Sequence, residues 1–234
     1  MNSRNFLDAL QFKSLWATGT AALSLSTVRR QQYILPASGP DAAVHLSLVA
    51  RLPQQPNSGI GKVLAELERL HPSHHYYPSD TVHVTIQNFD DIKDVDRDEL
   101  LARLRHRIGT LRPFSLTGHG LGVSPNSVFL QLFPEDDSLW GLRQQLTRST
   151  QDLSYTRKRT AGPGAFRDLL FRRLAFANLI RFSGPLSPSF IRAIARHRAT
   201  CFGRFTVEAL ELVQTDRLFS AAGTTVIDRM PLGR

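Results

Sequence analysis

The chain has 234 residues, enough for one large domain or two intimate lobes around a substantial core. Hydrophobic residues make up 41% and charged residues 21%, as in an ordinary globular protein; the lone Cys201 excludes an intrachain disulfide and a cysteine-built zinc site. Lys and Arg number 29 against 20 acidic residues, a formal charge of +9 that suits polyanions such as RNA or nucleotides, or a membrane surface, and that simple solubility also explains.

No stretch approaches the roughly 18 apolar residues of a membrane-spanning helix. The expectation is a cytoplasmic monomer without membrane partners, and the single cysteine agrees with a reducing compartment. Residues 1–40 read as an N-terminal extension with one amphipathic helix over residues 6–16. Organelle targeting through this extension is the alternative, although its apolar part, Ala21-Ala22-Leu23-Ser24-Leu25, is broken by Ser. Residues 41–234 read as one bilobal domain.

Apolar and β-branched residues in near alternation predict a strand over residues 43–52. Ile60, Val63, Leu64, Leu67 and Leu70 follow at helical spacing, with His71-Pro72 ending the helix. A Pro78-Ser79-Asp80 turn leads into a strand over residues 81–89. A second helix spans 96–111, with acids at its start as the helix dipole prefers. Residues 114–123 and 128–133 pair as strands around Ser124-Pro125-Asn126-Ser127, and Leu139, Leu142 and Leu146 mark a third helix over 137–150. Residues 151–165, with Arg157, Lys158, Arg159 and Gly162-Pro163-Gly164, read as a flexible loop. A strand over 174–182, a helix over 188–200 and strands over 204–214 and 224–231 close the chain. Intermixed strands and helices joined by short loops make the fold class α+β or α/β.

The chemistry centres on Thr81-Val82-His83-Val84-Thr85-Ile86-Gln87-Asn88-Phe89. Alternation places His83 and Thr85 on one face, about 7 Å apart along the strand, so a proton-transfer group lies beside a hydroxyl donor. A comparable strand, Phe176-Ala177-Asn178-Leu179-Ile180-Arg181-Phe182, follows 93 residues later, and each is followed by a helix and a further strand.

This arrangement resembles the 2H phosphoesterase superfamily, which includes the RNA 2′,3′-cyclic phosphodiesterases once named 2′-5′ RNA ligases. The resemblance extends over residues 43–232. It takes in Phe114-Ser115-Leu116 leading to Gly120-Leu121-Gly122, the closing run from Phe205 to Val213, and Met230-Pro231-Leu232. It implies a two-lobed α+β fold, with antiparallel sheets around a central cleft, helices outside and two His-x-Thr-x motifs facing each other. No cofactor or metal is implied, and no His or acid cluster has ligand spacing. His83 and Thr85 satisfy the first motif and are the implied catalytic residues. In the second, Phe176 stands where the family places histidine and Asn178 where it places threonine. An Asn amide can still donate to a phosphate oxygen, whereas Phe transfers no proton.

The expected partner is a nucleotide or RNA end carrying a 2′,3′-cyclic phosphate or a 2′-5′ linkage. His83 and Thr85 would act on it, with Asn178, Phe176, Arg181, Arg157 and Arg159 holding it. The plainer alternative for Thr85 and Asn178 is ordinary strand packing or a structural hydrogen bond, and for Phe176 it is core. His119, His74, His75 and His45 are candidates for the missing histidine, each more simply a core or surface residue, and His197 is expected to be exposed. The alternative functions are an inactive nucleotide- or RNA-binding module and a protein-interaction pseudoenzyme.

Overall fold

A computed structural model describes residues 9–14, 16–17, 35–53, 59–90, 97–124, 126–153 and 174–233. Nine described strands form one antiparallel sheet. They are β1 (His45–Arg51), β2 (His75–Tyr76), β3 (His83–Asn88), β4 (Phe114–Ser124), β5 (Ser127–Pro134), β6 (Ala175–Arg181), β7 (Cys201–Val207), β8 (Ala209–Thr215) and β9 (Thr225–Pro231). Their order is β7-β4-β5-β6-β3-β1-β8-β9, with β2 also on β6. The two lobes expected from the sequence are the halves β7-β4-β5-β6 and β3-β1-β8-β9. They join at the middle through one register pair, Val84 with Ala177.

Helices α1 (Ile60–Leu70), α2 (Arg97–Ile108), α3 (Ser138–Thr150) and α4 (Pro188–Arg196) cover the sheet. Each buries the apolar stripe its spacing dictates: Val63 and Leu67 on α1, Leu100, Leu104 and Ile108 on α2, Leu139, Leu142 and Leu146 on α3. Asp98 and Glu99 open α2, while Arg105, His106 and Arg107 close it, as its dipole favours. Ser187 caps α4 by accepting from the Phe190 N–H at 3.2 Å, and Pro188 occupies the first turn, where its missing N–H costs nothing.

Besides end shifts of one to three residues, such as the second helix ending at Ile108 rather than residue 111, three features differ from the sequence reading. The strand expected over 204–214 is two strands: β7 lies at one end of the sheet and β8 against β1 in the other half. Apolar alternation runs through Phe205, Val207 and Ala209, and the trace of the break is a change of phase at Ala209-Leu210. The helix expected to reach Thr200 ends at Arg196. The turn after it lays the carbonyls of His197 and Thr200 on the N–H groups of Leu121 and Gly120, at 3.0 and 2.8 Å. Gly120, at φ +81°, permits this: a Cβ there would sit 2.2 Å from the Arg198 carbonyl oxygen. The third difference is β2, a two-residue strand too short to show a period. Because β5 occupies the other edge of β6, β2 and β3 lie end to end along the same edge.

Candidate functional site

The seam between β3 and β6 places the candidate residues. Val84 and Ala177 point into the core, 1% and 0% exposed. Their neighbours His83, Thr85, Phe176 and Asn178, all half-buried, therefore emerge together on the opposite face. β1 sets Arg51 opposite His83. In β6 the register slips between the pairs Val128–Ile180 and Phe129–Asn178, leaving an extra residue at Leu179. That bulge offsets the alternation, sends Ile180 into the core and brings Arg181 onto the face of Asn178. His75 pairs with Arg181 and continues the row beyond Tyr77. One face thus carries the row Thr85, His83, Tyr77, His75 beside the row Phe176, Asn178, Arg181.

His83 is held in one tautomer. Its Nδ1–H donates to the Thr81 carbonyl at 2.8 Å, leaving the lone pair on Nε2, to which no described residue bonds. Its ring stacks on Phe219, with centroids 3.9 Å apart and planes 26° from parallel, and Tyr77 meets it edge-on at 6.5 Å. Burial pushes its pKa down to about 4; the Thr81 carbonyl opposes this, and the Arg51 and Arg181 guanidinium groups reinforce it. At neutral pH it is an uncharged imidazole between two cations. Arg51 donates to Glu211 at 2.6 Å and to the Asp80 carbonyl at 2.8 Å, and also lies over the Phe219 ring. Arg181 donates to the Tyr77 hydroxyl at 3.4 Å.

Phe219 arrives from the β8–β9 loop, which Asp216 builds. The Asp216 carboxylate accepts from the N–H groups of Gly39, Leu218 and Ser220 and from the Ser220 hydroxyl. Burial raises its pKa, but the bonds from Ser220, Gly39 and Leu218 outweigh it and hold the group below the usual carboxylate range. Phe219 sits at φ +53°, an uncommon conformation for a bulky side chain, and keeps its ring over His83.

The β6 side is apolar instead. Phe176 packs on Phe129 at 5.3 Å, and Phe129 lies over Gly122, where a Cβ would fall 2.2 Å from its ring. Residues 9–14 and 16–17 are helical, as expected over residues 6–16. From them Phe12, 2% exposed, packs on Phe129 at 6.0 Å and Phe133 at 5.5 Å. Thr85 and Asn178 keep their polar ends available: no described residue hydrogen-bonds to either side chain.

The fold has known counterparts. TT0787 of Thermus thermophilus superposes with a TM-score of 0.58 at 19% identity, over 81% of this chain and 99% of its own. A solved phosphoesterase matches at 0.54 and 13% identity over 82% and 100% of the two chains. E. coli LigT complexed with 3′-AMP matches at 0.54 and 14% over 81% and 98%. The chain has the 2H phosphoesterase fold. No protein-family model matches it, and no curated protein does.

Within the 2H fold the other histidines separate. His74 is 5% exposed, stacked on His71 at 4.7 Å and bonded to Ser183, a core residue whose pKa burial lowers to about 4. His45 pairs with Asp90 at 2.9 Å, and His197, half-buried rather than exposed, reaches Glu66 at 3.2 Å. His119 is exposed on β4, beside Phe133 at 6.4 Å. Only His75 shares the row of His83. Burial lowers its pKa, and the Leu218 carbonyl faces its ring, while its Nε2 is buried without a partner. Arg157, Lys158 and Arg159 lie outside the described residues. Sequence reasoning missed Arg51, Tyr77, Phe219 and the ring cluster. Among the described residues no group of three or more His, Cys, Asp or Glu side chains could hold a metal, and no helix is long and apolar enough to cross a membrane.

Proposed function

We propose that this face binds the phosphate of a nucleotide or RNA end, with His83 as general base on a 2′,3′-cyclic phosphate or 2′-5′ linkage. The observation that carries the reading is His83 itself. Its Nδ1 is engaged by Thr81, its Nε2 lone pair is unclaimed by any described residue, and Arg51 and Arg181 act on it from either side. LigT has been solved with 3′-AMP, ATP, phosphate and NADP+, which supports a nucleotide as the ligand class.

On a cyclic phosphate, His83 Nε2 takes a proton from the attacking water. The new P–O bond forms as the bond to one ribose oxygen breaks, and that oxygen takes its proton from solvent. Thr85 and Asn178 donate to the phosphate oxygens, and Arg181 offsets the charge that builds there. With Phe176 in place of the second histidine the acid half of catalysis is missing, a deficit of about 10²–10⁴-fold against a two-histidine site. The same ring favours a second reading, a nucleotide-binding cleft without turnover.

The test is hydrolysis of a panel of 2′,3′-cyclic nucleotides and 2′-5′-linked oligonucleotides by the native chain and His83→Ala, with binding of the same compounds measured in both. The expected result is slow turnover, lost by about 10²-fold or more in the variant, with binding retained and weakened steeply by salt. Turnover that survives His83→Ala removes the base assignment. Binding without turnover selects the second reading, and neither binding nor turnover overturns the proposal.

A further inference from the structure

The apolar half of the face is more than a lost histidine. Gln131 pairs with Phe176 and Phe129 with Asn178, so Phe129 and Phe133, at alternate positions on β5, share the face of His83 and Thr85. Together with Phe176 they form an aromatic surface. Phe12, the side chain that fills it, lies far from β3 to β9 in sequence. Few turns of its helix are described; Phe12 packs into the ring cluster and, one turn on, Trp16 lies under the Arg198 guanidinium at 4.4 Å. Beside Phe12, the Gln11 Oε1 is buried with no hydrogen-bond partner among the described residues, which costs the docked helix some stability. A helix of a few turns is marginal on its own and unravels once released.

We infer that the Phe129–Phe133–Phe176 surface is an aryl-binding site for the base of a bound nucleotide, and that Phe12 is a built-in competitor occupying it. The inference rests on the phosphate assignment above. Phe176 neighbours Thr85 across the seam, and His83 is two residues further along β3, so base and phosphate of one nucleotide, separated by a ribose, can reach both. Stacking on aromatic rings accepts any base, because every base has a π face. A cleft that is only partly free of its own helix binds with an affinity reduced by the open fraction.

The experiment compares the full-length chain with Phe12→Ala for adenosine 3′-monophosphate, inorganic phosphate and the aryl dye 8-anilinonaphthalene-1-sulfonate, with thermal unfolding recorded on each. Expected is a gain of about tenfold or more for the nucleotide, dye binding absent from the native chain, and no change for inorganic phosphate. Adding Phe176→Ala to Phe12→Ala should cancel the nucleotide gain. An unchanged or weakened nucleotide affinity in a folded Phe12→Ala, with no dye binding, makes Phe12 ordinary core and overturns the inference. Dye binding with no affinity for either phosphate compound keeps the competitor but removes the phosphate assignment and the nucleotide as its ligand. Equal gains for phosphate and nucleotide overturn base stacking. Should Phe12→Ala fail to fold, Trp16→Ala at the rim must move the nucleotide affinity in the same direction by a smaller factor, and no change there also overturns the inference.

Discussion

The two strands at the seam have parted ways. On β3 the side chains facing outward are polar, and the surroundings hold His83 neutral, in one tautomer and beside two guanidinium groups. On β6 the corresponding position is Phe176, and the rings around it close the surface with Phe12. A proton-transfer group needs its protonation state and orientation fixed by many neighbours, whereas a ring needs only packing. One half of the face therefore carries an oriented, neutral imidazole among polar groups, and the other is a packed aromatic surface.

Restoring the histidine breaks that comparison most sharply. Phe176→His with Asn178→Thr should raise turnover of a 2′,3′-cyclic nucleotide by up to about 10²-fold, the contribution of one general acid. The gain should be larger in a Phe12→Ala background, which frees the space. Unchanged turnover in a folded variant would mean that the halves no longer meet around one substrate. Next in size, Arg181→Ala should weaken inorganic phosphate by about tenfold or more, the value of a hydrogen bond to a charged group, and flatten the salt dependence, both read by calorimetry. Arg51→Ala should also cost about 1–3 kcal/mol of stability in chemical denaturation, because Glu211, 9% exposed, loses its partner.

A further prediction concerns pH. His83 and His74 titrate near 4 when folded and from 6.5 when unfolded, so the unfolded chain binds more protons between those values. Stability should be complete above about pH 6.5 and fall as pH drops towards 4, with His83 contributing about 3 kcal/mol at most. Phe219→Ala lets water reach His83, raises its pKa and shrinks the slope in that window. Denaturation curves at about pH 4.5 and 7 for both proteins measure it, and an identical slope would free His83 from its dependence on Phe219.

How much of this was legible in the sequence follows from range. Periodicity set α1 at its observed ends, and alternation around His83 put His83 and Thr85 on one face, because both are local properties of the chain. The resemblance supplied β6 as its counterpart, and the register pair Val84–Ala177 brings the two strands together. What stayed hidden depends on distant parts of the chain. Phe219 reaches His83 from a loop shaped by Asp216 and Gly39, Arg51 acquires its role only when β1 pairs with β3, and Phe12 is a single ring on an ordinary amphipathic stretch. Arg181 reached the correct face through a bulge at Leu179 that strict alternation would have denied.

Whether His83 is a neutral, ligand-facing base is read by ¹⁵N NMR of its imidazole during titration with inorganic phosphate. Expected are an Nδ1–H tautomer, a pKa of about 4 in the free protein and a rise when phosphate binds between Arg51 and Arg181. An ordinary pKa near 6.5 with a resonance indifferent to phosphate would contradict that role.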